Sequence, residues 1–159
     1  MEIEPIGIIR TEHKETVGTP VQPLFARDCK GTVLIEEMYQ RGLSGLEGFS
    51  HAWLLFGFHR SRKIRLRVTP FMGDREVGVF ATRSPCRPNS IGMTLVTIDA
   101  VTPSGLEVSG VDMLDCSPIF DIKPFFGRLE IPESWTTGWL DEEAMQADDP
   151  RLADARFTD

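Results

Sequence analysis

The sequence predicts a mainly β protein, a small single-domain β-barrel with short peripheral helices. Short runs rich in β-branched and aromatic residues fill the chain up to about residue 130, and glycine or proline stands in nearly every gap between them. The length of 159 residues suits one domain with one core. We therefore assign residues 1–140 to the barrel domain and residues 141–159 to an acidic C-terminal tail that is either helical or frayed.

Seven strands are predicted from these runs, in the order Ile3–Arg10, Gly31–Ile35, His51–His59, Ile64–Val68, Val77–Thr82, Met93–Val101 and Leu106–Val111. The fourth alternates strictly, which puts Ile64, Leu66 and Val68 on the side of a core. Its opposite face carries three basic residues, Lys63, Arg65 and Arg67. That face is either a charged edge that discourages aggregation or a surface for a polyanion.

Two short helices are predicted beside the strands. One spans Met38–Leu46, and the other spans Pro132–Leu140, where Trp135 and Trp139 stand four residues apart and would share a helix face. The nearby glycines at positions 42, 45 and 48 lack the close glycine pair of a dinucleotide-binding fingerprint, so we interpret them as turn residues.

The net charge of −7 is unevenly distributed along the chain. Residues 60–87 hold eight basic and two acidic side chains, a local charge of +6, whereas residues 130–159 hold two basic and nine acidic ones, a local −7. The acidic total therefore does not exclude an anionic partner for the middle of the chain.

The chain carries no signal for export or membrane insertion. Its longest apolar run, residues 52–56, is far shorter than the roughly 20 residues of a membrane span, and the N-terminus lacks the basic start of a signal peptide. Cys29, Cys86 and Cys116 are too widely spaced for paired zinc ligands and too few for a disulfide framework. We expect reduced thiols, a cytoplasmic location, no membrane and no metal.

A proline-stiffened loop carries Arg83 and Arg87. Pro85 and Pro88 fix the backbone and give the two guanidinium groups defined directions. Such rigid arginines match a carboxylate or a phosphate, although they could instead tie loops together through backbone carbonyls.

A second polar segment, residues 112–125, contains Asp112, Asp115, Asp121 and Lys123 together with two prolines. These charges make a poor core. They could bind ribose hydroxyls or an ammonium group, or accept a proton. They could also form internal salt bridges, chiefly from Lys123 to Asp121 or Asp115.

Several motifs in the chain resemble those of the TrmO-type (TsaA-like) S-adenosylmethionine-dependent tRNA methyltransferases. The match spans roughly Ile3–Leu140, and its two long motifs are highly specific. The motifs are PIG at 5–7, GTPVQP at 18–23, LEGFSHAW at 46–53, FH at 58–59, GVFATRSPCRPNSIG at 78–92 and LDCSPIFDIKP at 114–124.

The resemblance implies a small β-barrel that binds S-adenosylmethionine, methylates N6 of threonylcarbamoyladenosine at position 37 of tRNA, and forms a homodimer. The implied cofactor-binding residues are Pro20, Val21, Gln22, His59, Arg60, Arg83, Arg87, Leu95, Asp112, Met113, Leu114 and Asp115. Candidate proton acceptors are Asp115 and Asp121, with His59 behind them, because deprotonation helps an acylated nitrogen to attack. Candidate substrate-binding residues are Arg65, Arg67 and Lys123.

The chain departs from the family pattern at two places. Cys116 and Ser117 stand where the family commonly has Gly-Thr, and Phe125 stands where it commonly has tyrosine. These changes bear on the identity of the substrate. Two alternatives stay open: a non-catalytic RNA- or nucleotide-binding barrel, and a methyltransferase that acts on a small molecule.

Overall fold

The computed structural model describes residues 2–140 and 151–158, and its centre is a closed barrel of six antiparallel strands. The strands of the described residues are β1 (Gly7–Thr11), β2 (Lys30–Ile35), β3 (His51–Gly57), β4 (Arg67–Val68), β5 (Val77–Gly78), β6 (Ile91–Thr102), β7 (Gly105–Ser109) and β8 (Pro118–Pro124). Around the barrel they run β1-β2-β7-β6-β3-β8, and β8 pairs with β1 to close it. The predicted fold class is confirmed.

The barrel encloses the main apolar core because its strands alternate between inward and outward side chains. In β1 and β2, the paired residues Ile9 and Val33 are fully buried. The next pair along the two strands, Ile8 and Leu34, points outward and is 37% and 39% exposed. The same alternation in the other strands places Leu54, Val96, Leu106 and Ile119 in the interior. Removing these side chains from water supplies the main driving force for barrel formation.

Short 3-10 helices connect the strands, and no α-helix occurs among residues 2–140 and 151–158. They are Pro23–Phe25, Glu37–Leu43, Leu46–Gly48, Val79–Ala81, Gly127–Leu129 and Ala155–Phe157. The predicted helix Met38–Leu46 corresponds to the second and third of these, which Gly45 separates with its left-handed backbone (φ +95°). None of the helices in the described residues is long and apolar enough to cross a membrane.

The predicted helix Pro132–Leu140 is wrong. Gly138 adopts φ +65° inside that segment, a conformation that a right-handed helix does not contain. Trp135 is 68% exposed, whereas the Nε1 of Trp139 donates a hydrogen bond to the carbonyl of Ala81 at 2.7 Å. The two indoles therefore do not share one packed helix face.

The predicted strand Ile64–Val68 is too long. Only Arg67–Val68 pairs, with β5, and of the three residues expected to face a core only Val68 is buried. Ile64 and Leu66 are 61% and 64% exposed because the two-stranded sheet presents no second layer over them. The predicted strand Val77–Thr82 is also too long. Only Val77–Gly78 forms a strand, and the chain continues as the 3-10 helix Val79–Ala81.

The strand β8 was not predicted. Its prolines and charged residues made the segment resemble a loop, yet it pairs with β1 and β3 and completes the barrel. Pro118 and Pro124 stand at its two ends, where a missing backbone donor interrupts the ladder least.

Part of the acidic tail lies outside the described residues, at positions 141–150, and the expected helix there falls in that gap. Residues 151–158 return to the barrel domain, where Leu152 forms an isolated β-bridge with Pro20. The assignment of domain limits at residue 140 stays a prediction.

Cys116 is the single residue other than glycine with positive φ (+62°) among the described residues. It occupies the loop before β8, where its amide donates to the carbonyl of Ile9 at 2.8 Å. A side chain costs about 1–2 kcal/mol in this left-handed conformation, which glycine adopts without that cost. The family glycine that Cys116 replaces would therefore suit this backbone better.

We expect Cys116→Gly to unfold with a free energy about 1 kcal/mol greater than that of Cys116→Ala, measured by urea denaturation. Both variants remove the thiol and its contact with Arg10, so the difference between them isolates the backbone term. Equal stability of the two variants would show that the loop relaxes its backbone at no cost.

Candidate functional site

A cavity of about 380 Å³ opens at one end of the barrel. Its walls come from the loop after β1, the chain after β3, the 70–72 and 82–85 turns, the loop before β8 and the C-terminal residues. The described residues that line it are Glu15, Thr16, Thr19, Pro20, Val21, Phe56, Phe58, His59, Arg60, Ser61, Pro70, Phe71, Met72, Thr82, Arg83, Ser84, Pro85, Asp112, Met113, Leu114, Ser117, Trp139, Ala153, Phe157 and Thr158. Charged and aromatic side chains thus face one space.

The cavity brings together eight of the twelve predicted cofactor-binding residues: Pro20, Val21, His59, Arg60, Arg83, Asp112, Met113 and Leu114. Four others, Gln22, Arg87, Leu95 and Asp115, do not border it. Neither do the candidate proton acceptor Asp121 and the candidate substrate-binding residues Arg65, Arg67 and Lys123.

Arg83 is the arginine of the proline-stiffened loop that reaches the cavity. Its side chain is exposed, and its Nη1 donates to the Oε1 of Gln22 at 2.8 Å. Gln22 therefore orients the guanidinium from outside the cavity wall. The remaining N–H donors of Arg83 are left for a ligand.

Arg87 braces the same loop. Its Nη1 donates to the carbonyls of Thr82, at 2.8 Å, and Ser84, at 3.4 Å. These contacts match the structural alternative raised for this pair of arginines, in which a guanidinium ties backbone carbonyls together. Arg87 thereby fixes the direction in which Arg83 leaves the loop.

Asp112 presents a carboxylate with an unsatisfied oxygen. Its Oδ1 is buried and has no hydrogen-bond partner among the described residues. Burial raises the pKa of Asp112 from 3.8 to about 6, against the opposing influence of the nearby Thr94 hydroxyl and the Arg83 charge. A carboxyl group of this kind can release and accept a proton near neutral pH.

Asp115, three residues further on, lies in the opposite kind of environment. Its carboxylate contacts the Nζ of Lys14 at 2.8 Å and the Nε of Arg10 at 3.3 Å, and it accepts from the amide of Thr11 at 3.0 Å. The hydrogen bond from Lys14, with that from Thr11, holds the pKa of Asp115 well below its usual range. Its oxygens are occupied, so its geometry serves structure better than proton transfer.

The other two candidate proton acceptors, His59 and Asp121, lie in different places. His59 borders the cavity, where burial and the Arg60 charge lower its pKa, and its Nδ1 lies 3.3 Å from the Ser117 hydroxyl. Asp121 lies on β8, away from the cavity, and pairs with Lys123 at 2.7 Å, as the salt-bridge alternative expected. The structure therefore brings only His59, of the three candidate proton acceptors, to the cavity.

Arg65 and Arg67 line a neighbouring groove of about 480 Å³ together with Arg156. We call it the basic groove, because these three arginines outnumber its two acidic residues, Asp74 and Glu76. Both remain exposed, although Arg65 donates to the Arg156 carbonyl at 2.9 Å and Arg67 pairs with Glu76 at 2.7 Å. Lys123 lies elsewhere, in a shallow depression beside Trp53. The structure thus groups two of the three candidate substrate-binding residues.

One group of side chains in the described part of the chain could hold a metal ion. Glu12, His13 and Cys29 offer three ligand atoms within 4.8 Å of one another. Spacing in the sequence does not reveal this group, because Cys29 is distant along the chain and the fold brings it to the end of β1. The group does not border the cavity.

Sequence reasoning also missed the aromatic wall of the cavity, formed by Phe71, Trp139 and Phe157. Phe71 and Phe157 pack edge to face with centroids 4.8 Å apart. The three residues come from different segments of the chain. No local pattern marks Phe71 or Phe157, and the spacing of Trp139 from Trp135 predicted a helix face and not this wall.

Comparison with known proteins assigns this architecture to one family. A family model described as the tRNA-methyltransferase O N-terminal domain matches residues 8–130. A probable S-adenosyl-L-methionine-binding protein of Pyrococcus abyssi is 39% identical over 96% of this chain and 83% of its own length.

Two further relatives are longer. The tRNA (adenine(37)-N6)-methyltransferase of Escherichia coli is 38% identical over 81% of this chain, which spans 59% of that enzyme. A crystal structure of TrmO from Pseudomonas aeruginosa superposes with a TM-score of 0.75 and 35% identity, covering 89% of this chain and 63% of the crystallised one.

We expect Asp112→Asn to stabilise the protein at neutral pH by on the order of 1–3 kcal/mol. Because the pKa of Asp112 is raised, the folded chain keeps a proton that the unfolded chain has already lost. The wild-type protein therefore loses stability as the pH rises from about 4, and the loss is complete above about pH 6. The gain should therefore be largest at pH 7.5 and vanish toward pH 4.

Urea titrations at several pH values measure this gain, with Asp74→Asn on the exposed surface as the control. A gain from Asp112→Asn that stayed constant from pH 4 to pH 8 would show that burial of the charge is not its cause.

Proposed function

Because the chain belongs to the family of the tRNA-methyltransferase O N-terminal domain, we propose that it transfers a methyl group from S-adenosylmethionine to N6 of threonylcarbamoyladenosine at position 37 of tRNA. The observation that carries the proposal is that Arg83, Asp112 and His59 line one cavity together with the aromatic wall. That set offers partners for the carboxylate and the adenine ring of the cofactor, and a proton acceptor for the reaction.

The cavity suits S-adenosylmethionine in size and in chemistry. Its volume of about 380 Å³ lies in the range of small-molecule sites. Arg83 would bind the methionyl carboxylate with its forked donors, and Phe71 and Trp139 provide apolar surface for the adenine ring. When bound, the cofactor supplies an electrophilic methyl group on a positively charged sulfur.

The reaction is a direct displacement. The N6 nitrogen forms a bond to the methyl carbon, the carbon–sulfur bond breaks, and its electron pair stays on the sulfur of S-adenosylhomocysteine. The N6 proton passes to a base. The cavity would align nitrogen, carbon and sulfur and exclude water. Both effects lower the activation free energy of methyl transfer.

Asp112 is the base that the geometry favours. Its pKa of about 6 leaves it mostly ionised at pH 7, and it borders the cavity, where its carboxylate would accept the proton. Asp115 is less suitable, since Lys14 and Arg10 occupy its oxygens. His59 is the second choice, because its lowered pKa keeps it neutral and able to accept a proton.

The tRNA backbone is proposed to lie along the basic groove that contains Arg65 and Arg67 beside the cavity. Phosphate contacts of this kind release counterions, so binding of tRNA should weaken steeply with salt. A tRNA acceptor also implies that the protein works in the cytoplasm.

The proposal is tested by titrating the purified protein with S-adenosylmethionine in a calorimeter and by incubating it with tRNA and labelled cofactor. Mass spectrometry of the digested tRNA should show methylated threonylcarbamoyladenosine. Absence of cofactor binding with retained, salt-sensitive tRNA affinity would support a non-catalytic RNA-binding barrel instead. Cofactor binding with no methylation of any tRNA would favour a small-molecule acceptor.

We expect Asp112→Asn to lower kcat by about 100-fold or more at pH 7.5. The wild-type rate should rise with pH through about pH 6, because only the ionised carboxylate accepts the N6 proton, and this limb should be missing from the variant. Single-turnover rates from pH 5 to pH 8.5 measure both. A matching loss in Asp121→Asn, with Asp112→Asn unaffected, would move the base to β8.

We also propose a homodimer, supported by apolar side chains on the outer wall of the barrel. Ile8 and Leu34 are adjacent across β1 and β2, and Ile91 and Met93 project outward from β6. Covering such side chains is a common reason for association. Sedimentation equilibrium should give twice the chain mass of 17.8 kDa, and the mass of one chain would contradict the proposal.

A further inference from the structure

The C-terminal residues 151–158, here called the strap, hold two walls of the cavity at once. On one side, backbone hydrogen bonds join the strap to the loop after β1: Gly18 donates to Ala153 at 2.8 Å, Ala153 donates to Thr19 at 2.7 Å, and Val21 donates to Arg151 at 3.0 Å. The strap thereby fixes the loop that brings Pro20 and Val21 to the cavity.

On the other side, the strap is anchored to the segment that precedes and includes Phe71. Phe157 is only 5% exposed and packs with Val68, Cys86 and Phe71 in a small apolar cluster separate from the barrel core. The neighbouring Arg156 places its guanidinium carbon 5.1 Å from the centre of the Phe71 ring and donates to the carbonyl of Pro70 at 2.8 Å. These contacts set the position of the Phe71 ring, which lines the cavity.

The strap also borders both spaces of the proposed site. Ala153, Phe157 and Thr158 line the cavity, while Arg156 and Phe157 line the basic groove. Phe157 therefore stands in the wall between the proposed cofactor site and the proposed path of the tRNA. The family model ends at residue 130, so the strap lies outside the sequence that defines the family domain.

We propose that the strap is a positioning element of the cofactor site, and that Phe157 and Arg156 set the affinity for S-adenosylmethionine by holding Phe71 and the loop after β1 against the ligand. The inference rests on the proposed function. The strap takes no part in proton or methyl transfer, so its loss acts on binding of the cofactor before the chemical step.

The test uses three strap variants of the full chain and two control variants. Phe157→Ala removes the anchor, and Phe157→Leu keeps an apolar anchor in its place. Arg156→Ala removes the contacts of an exposed side chain and so disturbs the apolar cluster less than Phe157→Ala does. Leu129→Ala and Arg128→Ala are the controls, because both residues are exposed and lie outside the cavity and the groove.

We expect Phe157→Ala to raise the KM and Kd for S-adenosylmethionine about tenfold, while kcat at saturating cofactor changes by less than about twofold. Arg156→Ala should raise both constants several-fold, and Phe157→Leu should recover most of the wild-type affinity. The controls should match the wild type. Thermal unfolding without ligand separates these effects from a loss of folded protein.

Unchanged cofactor affinity in Arg156→Ala, together with unchanged affinity of the folded fraction of Phe157→Ala, would overturn the inference and leave the proposed function standing. A fall in kcat without a change in KM would also overturn it. A wild-type chain that binds no S-adenosylmethionine would overturn the proposed function and this inference together.

Discussion

The carboxylate of Asp115 holds the loop between β7 and β8 against β1, and the candidate site depends on that attachment. The side chain contacts Lys14 and Arg10, while the backbone amide of the same residue donates to the carbonyl of His13 at 2.8 Å. With the loop fixed in this way, Asp112 three residues earlier faces the cavity. One carboxylate is fully paired and the other is left partly unsatisfied, so neighbouring residues of one type take different chemical roles.

The sequence patterns that predicted the barrel are those that depend on short-range order. Alternation in β1 and β2, together with turn residues between runs, is visible without any knowledge of neighbours, and so the main strands were predicted near their true positions. The stiff loop with Arg83 was likewise predicted, because proline acts on the adjacent backbone. Family likeness then supplied the proposal of what such a loop binds.

The features that were missed depend on contacts between distant segments. The sequence of β8 resembles a loop, because its charges and prolines give no sign of the pairing with β1 and β3. Ile64 and Leu66 were predicted to be buried, because alternation does not reveal whether a second layer covers the strand. The contrast between Asp112 and Asp115 is also invisible in sequence. It arises from Lys14, Arg10 and the depth of each carboxylate, which only the folded chain defines.

Closure of the barrel has a consequence for how this protein meets other molecules. Since each barrel strand pairs with a neighbour on both sides, the barrel has no strand with one edge entirely open, the kind of edge to which a foreign strand adds most readily. Recognition at its wall therefore relies mainly on side chains. The protein can carry outward-facing residues such as Ile8 and Met93 with less risk of the edge-to-edge stacking that leads to fibrils.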